Sequence, residues 1–182
     1  MHLSNSELTR AFPAALRKDA VVALSAFAES SYPLRTFSLR IADGVVALPF
    51  RIYHNPALIQ TASLTSLQRE LVDCLLTRHN DGFIRQQYLT RIICSNHVWI
   101  PPFVVQLAGE YVIEILQVIQ HHLSTLDNSI YEQFFKMNPQ FLTLTEQRVI
   151  SYWNCYYRDC RRDEYVGFQL VDFFKSLVAK TR

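Results

Sequence analysis

Glycine is scarce in this chain, with four in 182 residues, and proline is limited to seven. A loop that cradles a phosphate needs glycines where backbone N–H groups must approach the anion. Neither GxGxxG nor GxxxxGK[ST] occurs, and GxSxG and HExxH are missing as well. So few turn formers also argue against a β-sandwich, and they exclude collagenous or low-complexity sequence. Excess charge is nearly absent: 18 Lys and Arg against 16 Asp and Glu leave a net +2. That provides no general attraction to nucleic acid or anionic lipid. The four cysteines (Cys74, Cys94, Cys155, Cys160) contain no CxxC pair. The expectation is reduced, mostly buried thiols and no metal site.

Apolar residues, by contrast, make up 49% of the chain and aromatics 13%, far above what keeps a chain disordered. The start, MHLSNSELTRAF, lacks the basic and apolar pattern of a signal peptide. The most apolar stretch, 99–119, carries Glu110 and Glu114 near its centre, which speaks against a membrane span. These features lead us to expect a soluble, cytoplasmic, mainly α protein of one domain, 1–182. Residues 1–60 form an N-terminal helix plus one β-hairpin, and 61–182 form the helical core, a bundle or short stack of antiparallel helix pairs.

Local patterns assign the elements. Leu16, Ala20, Leu24 and Phe27 form one apolar stripe over 14–29, which predicts a helix. Phe37, Leu39 and Ile41 alternate with polar residues up to Asp43-Gly44. A hairpin is expected there, pairing Ile41 with Val46 and Leu39 with Leu48, with Pro49 at an edge or ending the ladder. Thr65 and Gln68 fit a capping box for a helix to about Arg78. After the turn His79-Asn80-Asp81-Gly82, with Gly82 suited to a left-handed conformation, a helix over 83–94 follows. Pro101-Pro102 suit the first turn of a helix to about His122. That helix is apolar over most of its circumference, with Gly109 permitting a close crossing, so it reads as the central one. Further capping boxes, Ser129 with Glu132 and Thr143 with Glu146, are expected to open helices ending near Asn138 and Arg158. A last helix covers about 164–180.

The segment 64–95 resembles a helical repeat of the HEAT type. It has an amphipathic helix, a turn carrying Asp81, and Ile84-Arg85 opening the second helix. The resemblance implies helix-pair packing, Asp81 capping the second helix, Arg85 bridging to a neighbouring unit, and a role in protein interaction. Only one copy is evident, whereas a solenoid stacks at least three.

Two constellations carry the functional expectations. Residues 152–162 hold Tyr152, Tyr157, Arg158, Arg161 and Arg162, residue types that anchor protein interfaces. Val149, Trp153, Tyr156 and Cys160 are expected to share a core face. The favoured function is a non-enzymatic interaction domain with a protein partner, another copy or a different chain, and no cofactor. The same Tyr, Trp and Arg residues offer an alternative as a single-stranded nucleic-acid surface. That partner is disfavoured because Asp159, Asp163 and Glu164 offset the arginines. The second constellation, Gln106, Glu110, Glu114, Gln117 and His121, reads as one polar stripe at helical spacing. An enzyme or metal-binding protein would centre on Glu110, Glu114 and His121. The simpler reading is a wet face, or acids paired with Arg78, Arg85 or Arg91. Cys94 near His97 and Cys74 near His79 lack the surroundings of a nucleophile pair. Trp99, in the loop 95–100, is expected to plug an end of the bundle.

Overall fold

The computed structural model describes residues 5–28 and 32–179. The ends expected for the first and last helices, Glu29 and Lys180, lie outside them. The chain is mainly α, with a single two-stranded antiparallel hairpin among the described residues. No described helix is long and apolar enough to cross a membrane. The contacts divide into two compact units, 1–92 and 93–182.

The first unit opens with 3-10 turns over Asn5–Ala11 and Ala14–Leu16, then α1 (Arg17–Leu24). The expected stripe is buried at Ala20, Leu24 and Phe27, although the regular helix is shorter than its periodicity suggests. Strands β1 (Thr36–Ile41) and β2 (Gly44–Pro49) pair with Leu39 opposite Val46 and Phe37 opposite Leu48. The expected register is therefore off by two positions on one strand. The turn residues are Ala42 and Asp43, and no described non-glycine residue has a positive φ, so the mirror-image turn centred on Asp43-Gly44 does not form. The positive φ (127°) falls on Gly44, the first residue of β2. Pro49 ends the ladder, where its missing N–H costs nothing.

Helix α2 (Ser66–Leu76) starts at the expected capping box. The Gln68 N–H donates to Thr65 Oγ1 and the Thr65 N–H to Gln68 Oε1, each at 3.2 Å. Its inner face, including Leu71, Cys74 and Leu75, is fully buried. α2 packs on α1 and on α3 (Gly82–Ile92). Gly82 begins α3 with helical backbone and does not take up a left-handed cap. Beyond the hairpin, the Ile52 N–H donates to the Arg78 carbonyl at 2.9 Å and the Asn80 N–H to the Ile52 carbonyl at 3.0 Å. The Arg78 side chain is fully buried and donates to the carbonyls of Pro49 (3.2 Å), Phe50 (2.8 Å) and Thr77 (3.3 Å). One cation thus joins the end of the hairpin to the end of α2.

The second unit contains α4 (Pro101–Ala108), α5 (Ile113–His122), α6 (Asn128–Met137), α7 (Pro139–Tyr156) and α8 (Val166–Ala179). α8 packs against each of the other four, so it holds the central place expected for a helix over 101–122. That expected helix is two helices. Gly109 caps α4 at φ −94°, ψ 26°, and Val112 is extended before α5. Glycine has poor helix propensity and β-branched residues follow it at Val112-Ile113, which outweighs an uninterrupted apolar pattern. The close crossing inferred for Gly109 is present: a Cβ there would lie 3.2 Å from Arg148 Cδ and 3.6 Å from Thr145 Cγ2 on α7. Trp99 is buried before α4, and Pro101-Pro102 form its first turn.

Two expected caps move. Asp127, not Ser129, caps α6, accepting from the N–H groups of Ser129 (3.0 Å) and Ile130 (3.3 Å). A carboxylate that accepts two N–H groups prevails over a hydroxyl two residues later, and the Ser129 hydroxyl itself donates to Asp127. α7 begins at Pro139, so Thr143 lies inside the helix and its hydroxyl donates back to the Pro139 carbonyl at 3.3 Å. Asn138-Pro139 stops one helix and opens the next.

Candidate functional site

The break between α4 and α5 places Tyr111 against the last turns of α7. Its ring centroid lies 5.6 Å from that of Tyr152 and 5.5 Å from that of Tyr156, and the latter two are 6.3 Å apart. Tyr157, the residue after α7, donates its hydroxyl to the Tyr111 carbonyl at 2.7 Å. Four tyrosines therefore converge on one surface. Tyr156 is 65% exposed and Tyr111 47%, while Tyr152 and Tyr157 are half-buried. Such separations are those of interacting aromatic pairs, so the rings hold one another in place at the surface.

Tyr156 and Tyr111 are the members that sequence reasoning missed. Helical periodicity assigned Tyr156 to a core face with Val149, Trp153 and Cys160. Val149 is fully buried and Trp153 half-buried, but Tyr156, in the final turn of α7, is exposed. Cys160 falls outside the helix altogether. The expectation of mostly buried thiols is likewise corrected: Cys74 is buried, Cys160 partly so, and Cys94 and Cys155 are exposed.

The loop after α7 is pinned on both sides. Trp153 Nε1 donates to the Cys160 carbonyl at 2.9 Å, and the Tyr157 ring stacks on buried Tyr165 at 5.0 Å. Of the three arginines, Arg161 pairs with Asp163 through two contacts (3.0 and 2.8 Å) and lies 3.9 Å from Glu164. The Arg162 guanidinium sits 4.4 Å over the Phe168 ring. Arg158 is exposed. Burial pushes the Tyr157 phenol above its ordinary range, and the negative charge of Glu114 adds to the shift. The Tyr157 hydroxyl is accordingly a neutral donor throughout the physiological range.

The polar stripe does not form. Glu110 lies in the break and is 4% exposed; Glu114 is exposed in the first turn of α5; His121 is exposed in its last turn. The two acids are no longer one turn apart on a single helix, so the i, i+4 pair behind the carboxylate-site expectation is lost. Gln106 is buried and accepts from Arg148 Nη1 at 2.9 Å. In the first unit, Arg78 donates to carbonyls as described, and Arg91 Nη1 lies 3.4 Å from Asp73 Oδ1. Among the described residues no group of three or more His, Cys, Asp or Glu side chains could hold a metal ion.

The turn between α2 and α3 is built as a clamp. Asp81 Oδ1 accepts from the Phe83 N–H at 2.8 Å, capping α3 as its position suggested. Arg85 is buried, and its Nη1 donates to the carbonyls of His79 (2.9 Å) and Asn80 (2.8 Å). His79 Nδ1 accepts from the Asp81 N–H at 3.0 Å, and its Nε2 lies 2.9 Å from the His54 carbonyl. Both ring nitrogens are thus engaged away from Cys74, whose thiol burial pushes far above its ordinary range. His97 stacks on Trp99 at 4.0 Å.

No family model matches the chain, and neither a curated protein nor a solved structure matches it.

Proposed function

We propose that this chain is a non-enzymatic helical domain that binds another protein through the tyrosine surface of its second unit. The observation that carries the reading is the convergence of Tyr111, Tyr152, Tyr156 and Tyr157, with two rings largely exposed and the Tyr157 hydroxyl tied to the backbone. Rigid tyrosines provide large contact area at small entropic cost, and Tyr and Arg are common interface anchors. Arg158, the next residue after Tyr157, is exposed. A nucleic-acid partner is less well supported, because Arg161 is paired with acids and Arg162 is engaged on Phe168. The capped α2–turn–α3 pair is compatible with a HEAT-like interaction role, although Arg85 donates to the His79 and Asn80 carbonyls of its own turn where the resemblance implied a bridge to a neighbouring unit. A reducing compartment such as the cytoplasm suits the exposed thiols of Cys94 and Cys155.

The test is a photo-crosslinking amino acid placed at Tyr156 and, as a control, at Val45, which is 66% exposed in the first unit. On irradiation in cells, the expected result is one discrete protein adduct from position 156 and none from position 45. A Tyr111→Ser/Tyr156→Ser variant should fold and should no longer carry the adduct when crosslinked from Tyr152. Equal labelling from both positions, or no adduct from position 156, overturns the proposal.

A further inference from the structure

The tyrosine surface of the second unit limits the kind of protein segment it can hold, and its size is the first limit. Tyr156 is 65% exposed, Tyr111 47%, and Tyr152 is half-buried. An aromatic side chain presents about 150–250 Å², so three rings about half exposed offer roughly 300 Å². An interface between two folded proteins, a second copy of this chain included, takes about 800 Å² from each partner. A short segment fits that area better than a folded face does.

Short segments dock in few ways. Strand addition needs a sheet edge, and the described residues of the second unit contain no strand. An amphipathic helix needs a groove for several aliphatic anchors. Among the described residues of this unit, Leu144 is the one exposed large aliphatic side chain, and it lies two helical turns before Tyr152. A phosphorylated or acidic motif needs clustered arginines, whereas Arg161 is held by Asp163 and Arg162 lies over Phe168. The mode that remains is the polyproline II segment on aromatic rings.

Its chemistry matches what the surface offers. The hydroxyls of Tyr111, Tyr152 and Tyr156 donate to no described residue, so three donors stand beside three ring faces. A polyproline II segment brings flat pyrrolidine rings and carbonyls without intramolecular partners, and its prolines have no N–H to satisfy. With three residues per turn and about 3.1 Å per residue, one turn is about 9 Å long. Rings with centroids 5.5 to 6.3 Å apart cover about that length. Both sides are stiff before they meet. Ring closure fixes the proline φ, and the Tyr157 hydroxyl ties the end of α7 to the Tyr111 carbonyl, so little freedom is lost on docking.

We infer that the surface of Tyr111, Tyr152 and Tyr156 holds a proline-rich segment of the partner in the polyproline II conformation. The proline rings lie against the tyrosine faces and the segment's carbonyls accept from the phenol hydroxyls. This assignment rests on the interaction reading of the same surface.

Acetylated decaproline amide, a Gly-Ser peptide of equal length and tetramethylammonium chloride are the probes, each titrated into the whole chain and followed through its amide NMR shifts. Decaproline should produce saturable shifts confined to residues 109–114 and 152–158. The Gly-Ser peptide has carbonyls without rings or stiffness and should bind at least about tenfold more weakly. Tyr156→Ser should weaken decaproline about tenfold, as loss of one interface anchor implies. Tyr156 is exposed, so the melting temperature should hold; Tyr111→Ser provides a second variant. No saturable shift from decaproline, shifts scattered over the chain, equal binding of the Gly-Ser peptide, tighter binding of tetramethylammonium at the same rings, or full affinity in the folded Ser variants overturns the proposal. Failure of decaproline while the adduct from position 156 persists strikes the polyproline assignment alone, whereas absence of that adduct strikes the interaction reading beneath it.

Discussion

The Tyr157 hydroxyl donates to the Tyr111 carbonyl at 2.7 Å, tying the residue after α7 to the break between α4 and α5. The acceptor is a backbone group exposed by that break, so the bond exists only because 101–122 is not one helix. Tyr157→Phe keeps the ring on Tyr165 and deletes the donor. Unfolding in urea should show a loss of about 1 kcal/mol, the usual net worth of a neutral hydrogen bond. Chemical nitration should then reach Tyr111 and Tyr156 faster than in the parent chain, because the surface they share has lost its tether.

Arg78 is the largest fully buried side chain among the described residues, and it donates to three backbone carbonyls. Arg78→Met fills similar space but removes the side-chain donor to the carbonyls of Pro49 and Thr77 and leaves that of Phe50 with Arg51 Nη1. A loss of about 3 kcal/mol is expected, since removing one partner of a buried polar cluster strands the others. The measurement is equilibrium unfolding in urea, followed by circular dichroism near 222 nm.

Acid should weaken the first unit through two histidines. Burial lowers His54 below its ordinary value, helped by His79; burial likewise leads the causes that lower His79. Neither ring nitrogen of His54 has a hydrogen-bond partner, and Phe27 meets the ring edge-on at 5.1 Å. The folded chain thus takes up protons later than the unfolded chain, whose histidines titrate near 6.5. Stability is fully present above that value and falls as pH drops through it toward the lowered folded values. Thermal melts between about pH 5 and pH 8 should show this slope, and His54→Phe should flatten it.

Gly167 touches its neighbours too closely for a methyl group. A Cβ there would lie 2.6 Å from Tyr165 Cε1 and 2.9 Å from Val149 Cγ1. Both neighbours are buried, so neither can swing aside freely. Gly167→Ala should cost about 1–3 kcal/mol through overpacking, despite alanine's better helix propensity. A melting-temperature shift of several degrees downward is the readout; an unchanged or raised value would show that the Tyr165 ring relaxes.

What was legible in the sequence was what is local. Thr65 and Gln68 lie three residues apart and cap one another, and Asp81 caps the helix that follows it. The mainly α class followed from the same kind of pattern. The hairpin was legible, but its register was not, because moving the turn from Asp43-Gly44 to Ala42-Asp43 preserves the alternation. Arg78 was opaque for a different reason: two of its acceptors are backbone carbonyls 28 and 29 residues away, and any residue type has a carbonyl. The tyrosine surface was half legible. Tyr152 and Tyr157 were picked out by composition, whereas Tyr111 joined them only because Gly109 ended a helix that the apolar pattern continued.

Helix α4 has a further consequence. All eight of its residues are buried, including Gln106. A helix without a wet face cannot fray sideways into solvent; its amides meet water only when neighbouring helices separate. Phe103 and Val104 both donate to the Ile100 carbonyl, so even its first free N–H groups are engaged. The slowest-exchanging protons of the second unit should therefore map to α4, and their protection should report the opening free energy of that unit as a whole. The shortest buried helix becomes an internal gauge of cooperativity, readable by hydrogen exchange without any label or ligand.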